Sequence, residues 1–583
     1  MTRTSYICQF GGEAGFGVMS AGTMVAKAAG RNGLWAFVVN EYPSLIKGGL
    51  NTCLVRLSDS PLTAYEEGLD LLGALSQPAL EQNGARLKAG ATLLYDSVAV
   101  DPGKVALAAG VRTVGVALTA AGGETAKVMA NSAMVGAFCA LSGFPADHIR
   151  AVLRTEFTNP DILAKNLAIF DAAYAQVAAD APDRDFPLPF AAGGERKMLV
   201  TGNDAIAMGA LRAGCKFAAG YPMTPGSSIL VYLADHAADF GLVFKQAEDE
   251  IAAMNMLIGA GFTGVRALGA TSGGGFALMA EALGFAAQAE VPVVMVVAQR
   301  GGPSTGLPTR TAQGDLSFVT FASQGEFPRV VVAPGDAGEC FAETFRVFNL
   351  AEKYQLPCII LTDKYLADSS VTQPYFAAAG LAVERGKLAD PAWLAANQPY
   401  RRYQDTADGV SPRAVPGQAG GRHIATSYTH QDDGFYSSGN HEYAASEPAV
   451  TAAGLDKLFR KEAHILAEVP AVTLHGPAEA DLTLIGWGST KGAVLEALAL
   501  AAASGIAANF LQVRYLSPFP AAAVAAALAT AKRTLLVEGN KTAQLGGLIR
   551  ANTGHKADAA YLKYDSRPFV PSAILKKMRE VLA

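Results

Sequence analysis

The chain has 583 residues, of which 50% are hydrophobic and 17% charged, a composition that builds large cores and excludes a disordered polyampholyte. Lys+Arg 47 against Asp+Glu 52 gives a net charge of −5, without the basic excess of a nucleic-acid binder. At roughly 150 residues per domain, the length corresponds to about four domains.

The longest apolar runs, at 521–528 and 291–298, fall short of the ~18 residues of a membrane span. The opening MTRTSYICQF enters a strand pattern with no signal-peptide core, so the expectation is a cytoplasmic protein with no membrane contact. Cys8, Cys53, Cys139, Cys215, Cys340 and Cys358 include no C-x-x-C pair. They read as reduced core residues, not as ligands of zinc or an iron–sulfur cluster.

In chain order, residues 1–183 alternate strand patterns at 5–10, 36–40, 52–57, 91–95 and 111–116 with a helix at 15–33. The glycine turn Gly11-Gly12-Glu13-Ala14-Gly15-Phe16-Gly17 lies between the first strand and that helix. This context suits phosphate at a helix N-terminus, or simply a tight turn, and Glu13 counts against an anion. Prolines and glycines at 181–194 mark a linker, placed at 184–196.

The block 197–390 is the most regular. Strands at 198–201, 217–221, 242–246, 265–270 and 291–299 alternate with helices at 204–213, 225–240, 249–260 and 276–289, which predicts a parallel sheet with helices on both faces. Residues 391–470 form an irregular arm and connection, rich in Gly, Tyr and His at 390–450. In 471–583 the alternation returns as strands at 483–486, 510–513 and 534–538 with helices at 493–503 and 521–531. The fold class is therefore α/β, as several doubly wound parallel-sheet domains.

Ligands in such sheets bind beyond the carboxyl ends of the strands. Four successive strand ends of the 197–390 block carry Tyr221-Pro222-Met223-Thr224-Pro225, Glu248-Asp249-Glu250, Thr271-Ser272-Gly273-Gly274-Gly275 and the run from Gln299-Arg300 to Gly306. Singly, each has a structural reading: a turn, a complement to a helix dipole, a tight βα connection, a surface ion pair. Together on one rim they read as a pocket. His423, His430 and His441 in the arm read as packing or solvent-facing, not as a metal site.

These residues carry a resemblance. The run YPMTP…QAEDEIAAMNMLIGA…ATSGGGFALMAEALGFAAQAEVPVV…QRGGPSTGLPTRTAQGDL resembles the α subunit of 2-oxoacid:ferredoxin oxidoreductases. The first block, through its glycine turn and EYPSLIKGGLNT, is similar to the family's γ domain. A γ domain fused ahead of α resembles the 2-oxoglutarate:ferredoxin oxidoreductase type. Further matches are LTDKY at 361–365, DGVSPR at 408–413, GWGSTKG at 486–492 and VEGN at 537–540. The resemblance implies a γ domain, a thiamine pyrimidine-binding domain and a transketolase C-terminal-like domain.

It also implies thiamine diphosphate chemistry: 2-oxoacid decarboxylation, single-electron transfer through an iron–sulfur cluster to ferredoxin, and acyl transfer to coenzyme A. Glu250 resembles the glutamate that hydrogen-bonds the aminopyrimidine ring. Tyr221, Pro222, Ser272 and Gly273 are the accompanying cofactor-binding candidates. Thr224, Arg300 and Thr309 resemble the groups near the 2-oxoacid, with Arg300 suited to a bidentate carboxylate grip. Lys47 and Arg310 are candidates for a distal carboxylate, and Gly12, Gly15, Gly17 and Lys47 for contact with coenzyme A.

The sequence departs from the family pattern at Leu50, Met223, Gly226, Arg310 and Ala312, where histidine, isoleucine, serine, lysine and glutamate are usual; the Met223 and Gly226 changes read as mild. The chain contains no Gly-Asp-Gly and no cluster ligand set. The resemblance then assigns Mg²⁺, the diphosphate half of the site and a [4Fe–4S] cluster to a β subunit, in a dimer of γα–β pairs.

Overall fold

The computed structural model describes residues 5–45, 48–119, 126–180, 186–190, 194–437 and 447–583. They divide into two compact units, the first built from residues 1–201 with 368–376 and 570–572, the second from the remainder.

The first unit is organised around an eight-stranded sheet. In order its strands are Arg112–Val116, Leu87–Asp96, Leu69–Ala74, Tyr6–Glu13, Leu50–Ser58, Trp35–Glu41, Ser370–Gln373 and Met198–Thr201. The first four are parallel and the other pairings antiparallel. The parallel expectation therefore holds for one half of this sheet, and the α/β class for the whole unit. Helix Val18–Arg31 turns Met24, Val25 and its alanines into the core beside Phe10, Phe138 and Phe170. Residues 126–180 form three helices, Ala126–Ser142, Ala146–Glu156 and Pro160–Asp180.

One strand differs from the sequence expectation. Met198–Thr201 does not start the parallel sheet of the second block but pairs antiparallel with Ser370–Gln373 in the eight-stranded sheet. Four residues of mixed exposure carry no signal that distinguishes one sheet edge from another.

The second unit holds two sheets. The seven-stranded one runs Tyr515–Ser517, Val330–Val332, Pro357–Asp363, Val293–Gln299, Ala267–Thr271, Phe217–Gly220 and Val243–Gln246, parallel throughout except for the first strand. Val293–Gln299 and Pro357–Asp363 are buried along their whole length, as strands covered by helices on both faces must be. The five-stranded sheet runs Val472–His475, Ala508–Val513, Leu482–Gly486, Thr534–Glu538 and Ala559–Leu562.

Both sheets of this unit share one apolar cluster, which includes Val331, Ile359, Trp487, Leu511 and Leu536. Charged groups join the same two parts: Lys491 to Glu339 at 2.6 Å and Arg514 to Glu339 at 2.8 Å. The arm contains a short helix, Pro391–Ala396, and ends in the long helix Glu447–Glu468. No helix among the described residues is long and apolar enough to cross a membrane.

Candidate active site

The carboxyl ends of Phe217–Gly220, Val243–Gln246, Ala267–Thr271 and Val293–Gln299 lie in adjacent positions of one parallel sheet. The residues that follow them are therefore neighbours, as the sequence spacing predicts.

The acidic trio after Val243–Gln246 splits into three roles. Glu248 is exposed. Asp249 is the N-cap of helix Glu250–Phe262, its carboxylate accepting from the Ala252 N–H at 2.7 Å, which satisfies one of the orphan donors of the first turn. Glu250, the first helical residue, is 3% exposed, and its Oε1 has no hydrogen-bond partner. A buried carboxylate oxygen without a partner is costly unless something else occupies its hydrogen-bonding position.

The next strand end explains how Glu250 is held. Gly273–Gly275 are not a turn, as the sequence suggests, but the first turn of helix Gly273–Gln288. The glycines serve close approach: a Cβ on Gly275 would lie 2.2 Å from Thr271 Oγ1 and 2.5 Å from Glu250 Oε1, and one on Gly273 would lie 2.4 Å from Asp315 Oδ2. Ser272, the N-cap, is fully buried, and its Oγ makes no cap bond and no other hydrogen bond. Two unpartnered buried oxygens thus flank one helix start.

Thr224 and Arg300 meet directly: Arg300 Nη1 donates to the Thr224 carbonyl at 2.8 Å. Burial lowers the Arg300 pKa, while Asp315 pushes it back up. Pro222 is exposed and Tyr221 is 41% exposed, so both present themselves to the open side of the rim. Gly226 lies against the neighbouring strand: a Cβ there would sit 2.8 Å from the Thr271 carbonyl oxygen. A serine at this position is therefore not the mild exchange that the sequence comparison suggests.

The loop after Arg300 folds back on itself. Gly301 N–H donates to the Arg310 carbonyl at 3.0 Å and Leu307 N–H to the Gly301 carbonyl at 2.7 Å. Gly306 closes it at φ +54°, where a Cβ would lie 1.9 Å from the Gly301 oxygen. The result places the Arg300 and Arg310 backbones next to each other, with Thr309 buried. The continuing chain is pinned by Thr311 Oγ1 to Asp363 at 2.9 Å and by Gln313, which exchanges bonds with Gly539 at 2.8 Å and reaches the Trp487 carbonyl at 3.0 Å.

The expected coenzyme A contacts lie in the first unit. Gly11 and Gly12 belong to strand Tyr6–Glu13, where a Cβ on Gly12 would crowd Leu75 at 3.0 Å. The glycine turn is consequently shorter than its sequence suggests, and only Gly15 (φ +98°) and Gly17 (φ +67°) use glycine's conformational freedom. Lys47 lies outside the described residues, as does His441. His423 packs against Phe262 and Tyr400, and His430 on Tyr403.

Sequence reasoning gave no role to Asp315, Gln299, Gln313 or Thr271. Asp315 stands in the quoted TAQGDL run, but its approach to Gly273 is a tertiary fact. Two cavities of about 390 Å³ and 660 Å³ lie elsewhere in the second unit and are lined by none of Glu250, Ser272, Thr224 or Arg300.

The family model described as "Pyruvate flavodoxin/ferredoxin oxidoreductase, thiamine diP-bdg" matches residues 208–446. "Pyruvate ferredoxin/flavodoxin oxidoreductase" matches 7–176 and "Transketolase, C-terminal domain" 472–559. The chain is 31% identical to 2-oxoacid:ferredoxin oxidoreductase 2, subunit alpha, of Aeropyrum pernix, over 98% of this chain and 97% of that protein. It is 35% identical to the 2-oxoglutarate synthase subunit KorA of Methanothermobacter thermautotrophicus, over 58% of this chain and 87% of that one. A solved structure described as 2-oxoglutarate:ferredoxin oxidoreductase from Magnetococcus marinus, with 2-oxoglutarate, coenzyme A and succinyl-CoA bound, superposes over 100% of both chains with TM-score 0.91 and 32% identity.

Proposed function

The chain belongs to the family of 2-oxoacid:ferredoxin oxidoreductase α subunits, and from that membership we propose that it is the γα chain of a 2-oxoglutarate enzyme. The reaction interconverts 2-oxoglutarate plus coenzyme A with succinyl-CoA plus CO2, the electrons passing to or from ferredoxin through a β subunit.

The observation that carries the reading is the unpartnered, buried Oε1 of Glu250 beside Gly275. These residues fit an aminopyrimidine: a carboxylate there accepts from a protonated ring nitrogen, and the glycine leaves room for a flat ring to approach. When bound, thiamine diphosphate supplies a carbanion-forming carbon that adds to the 2-oxo group and takes up the electrons left by decarboxylation. The chain's own residues do the rest. Asp249 fixes the helix start that presents Glu250, and Glu250 holds the ring proton and so favours the tautomer that can act as base. Arg300, steadied by the Thr224 carbonyl, grips the carboxylate next to the oxo group. Arg310, across the loop from Arg300, suits the distal carboxylate of a dicarboxylic oxoacid; Lys47 is a second candidate, and Thr309 lines the approach.

A β subunit is supported by what surrounds this rim. Ile251 and Leu278, in the first two turns of the helices that start at Glu250 and Gly273, are each 50% exposed, apolar side chains that a partner subunit would cover. With no Gly-Asp-Gly motif in the chain, Mg²⁺, the diphosphate contacts and the [4Fe–4S] cluster fall to that subunit. Coenzyme A contact is assigned to the first unit, at Gly15 and Gly17 with Lys47.

Two measurements test this. Thiamine diphosphate titrated into the γα·β complex binds far more weakly to Glu250→Ala than to wild type; equal affinities sink the cofactor assignment. The ratio of kcat/KM for 2-oxoglutarate to that for pyruvate is well above one; a ratio below one assigns the enzyme to pyruvate.

A further inference from the structure

The cavity of about 390 Å³ has no part in the reaction as described. It lies where the arm meets helix Glu447–Glu468 and the end of helix Gly273–Gln288, about 24 Å along the latter from its active-site turn. Val450, Gly454, Lys457 and Leu458 turn one face of the long helix to it, at the i, i+4, i+7, i+8 spacing of a shared face. Tyr403 and Gln431 of the arm, with Glu290, supply its polar lining.

Two buried polar atoms of that lining have no hydrogen-bond partner, Tyr403 Oη and Gln431 Nε2. Tyr403 is 5% exposed, and burial raises its pKa to about 12, so the hydroxyl is a donor at neutral pH. The ring itself is held. It lies against His430 with centroids 3.8 Å apart, and both nitrogens of that imidazole lie against backbone carbonyls, of Gln431 at 3.0 Å and of Gln288 at 3.2 Å. A fixed, buried donor without an acceptor is costly unless a ligand supplies one.

The charges behind this lining do not balance. Arg402, Lys457 and Lys461 are buried around the single carboxylate of Glu290. Lys461 donates to its Oε2 at 2.8 Å and Lys457 to its Oε1, while Arg402 Nη2 donates to the Glu290 carbonyl at 2.9 Å and Nη1 has no partner. Asp405 and Asp432, which also line the cavity, are engaged by Arg460 at 2.7 Å and Arg401 at 3.3 Å. The end of helix Gly273–Gln288 adds about half a negative charge, which leaves roughly one and a half positive charges uncompensated. Burial takes the Lys461 pKa down to about 8 in spite of Glu290, as an excess of buried cations requires.

We propose that this cavity binds a small carboxylate with an apolar body. The head accepts from Tyr403 Oη and Gln431 Nε2 beside the Lys457 ammonium, and the body lies on the helix face of Val450, Gly454 and Leu458. Inorganic phosphate would meet the charge but leave that apolar face and most of the volume unused. The site is separate from the thiamine assignment and does not depend on it.

The test is calorimetric titration of octanoate, octan-1-ol and inorganic phosphate into the γα·β complex and into the γα chain alone, for wild type, Tyr403→Phe, Ala453→Phe and Glu250→Ala. Tyr403→Phe removes an oxygen that has no partner in the fold, and Ala453→Phe fills the cavity from the long helix, where Ala453 lines it. The expected result is one octanoate per γα chain, with Kd raised about tenfold or more by Tyr403→Phe. Binding is lost in Ala453→Phe, unchanged in Glu250→Ala, and much weaker for octan-1-ol and phosphate. Absence of octanoate binding overturns the proposal, as does wild-type affinity in either cavity variant, loss of binding in Glu250→Ala, or equal affinity for the alcohol or for phosphate. Octanoate bound by the γα chain alone but not by the complex assigns the cavity to subunit contact and overturns it too.

Discussion

Replacing Gly275 by alanine separates the demands of the site from those of the helix. In an unconstrained helix interior the change would stabilise by roughly 0.5–1 kcal/mol. Here the new methyl would lie 2.5 Å from Glu250 Oε1 and 2.2 Å from Thr271 Oγ1, far inside ordinary contact distance. Restoring ordinary contact moves the carboxylate oxygen by about an ångström, and a buried overpacked site costs typically ~1–3 kcal/mol. A displacement of that size removes a hydrogen bond to a charged group, which contributes ~1.5–3 kcal/mol, or roughly ten- to a hundred-fold in thiamine diphosphate affinity. Calorimetric titration of the γα·β complex reads the affinity, and thermal unfolding reads the fold. A Kd raised by that factor with a small change in Tm is expected. An unchanged Kd, or a variant more stable and equally tight, refutes it.

Arg300→Ala is expected to lower kcat/KM for every 2-oxoacid by about a hundred-fold, the loss of a charge-assisted bidentate grip of ~3 kcal/mol; substrate-selective loss would assign the residue to the distal group instead. Asp249→Ala removes the cap from the helix that starts at Glu250, costing ~1 kcal/mol of stability and weakening cofactor binding several-fold, read in one series of Tm and Kd measurements. Glu290, just past helix Gly273–Gln288, is buried between Lys457 and Lys461 of helix Glu447–Glu468, the latter 2.8 Å away. Glu290→Gln leaves two buried ammonium groups uncompensated, a loss of ~3–5 kcal/mol in denaturant unfolding. The flanking lysines outweigh burial and hold the Glu290 carboxyl well below its ordinary 4.5. Its contribution is therefore present above that value and declines as pH falls below about 4.5. Wild-type stability drops over that acid range, and the drop is smaller in Glu290→Gln.

Strand positions in the parallel sheet were legible because doubly covered strands are continuous apolar runs; Val293–Gln299 announces itself. So was the rim, since the carboxyl ends of successive strands of one sheet must be neighbours. Illegible was anything set by approach across the fold. Gly273–Gly275 look like a turn in the sequence, and only Asp315 pressing on Gly273 and Glu250 and Thr271 on Gly275 make glycine necessary at those two places inside a helix. The acidic trio reads as one feature, yet its three side chains face solvent, helix and core. The Met198–Thr201 strand joins the first sheet through Ser370–Gln373, some 170 residues further along the chain, a pairing with no local signature. Glu290 finds Lys457 and Lys461 at a similar remove.

The account stands on Glu250 acting upon the aminopyrimidine ring. Proton exchange at the thiazolium carbon of thiamine diphosphate, followed by NMR in the quenched γα·β complex for wild type and Glu250→Gln, tests it most directly. The prediction is exchange slowed by orders of magnitude in the variant, with circular dichroism and complex assembly unchanged. Exchange at the wild-type rate would contradict the account.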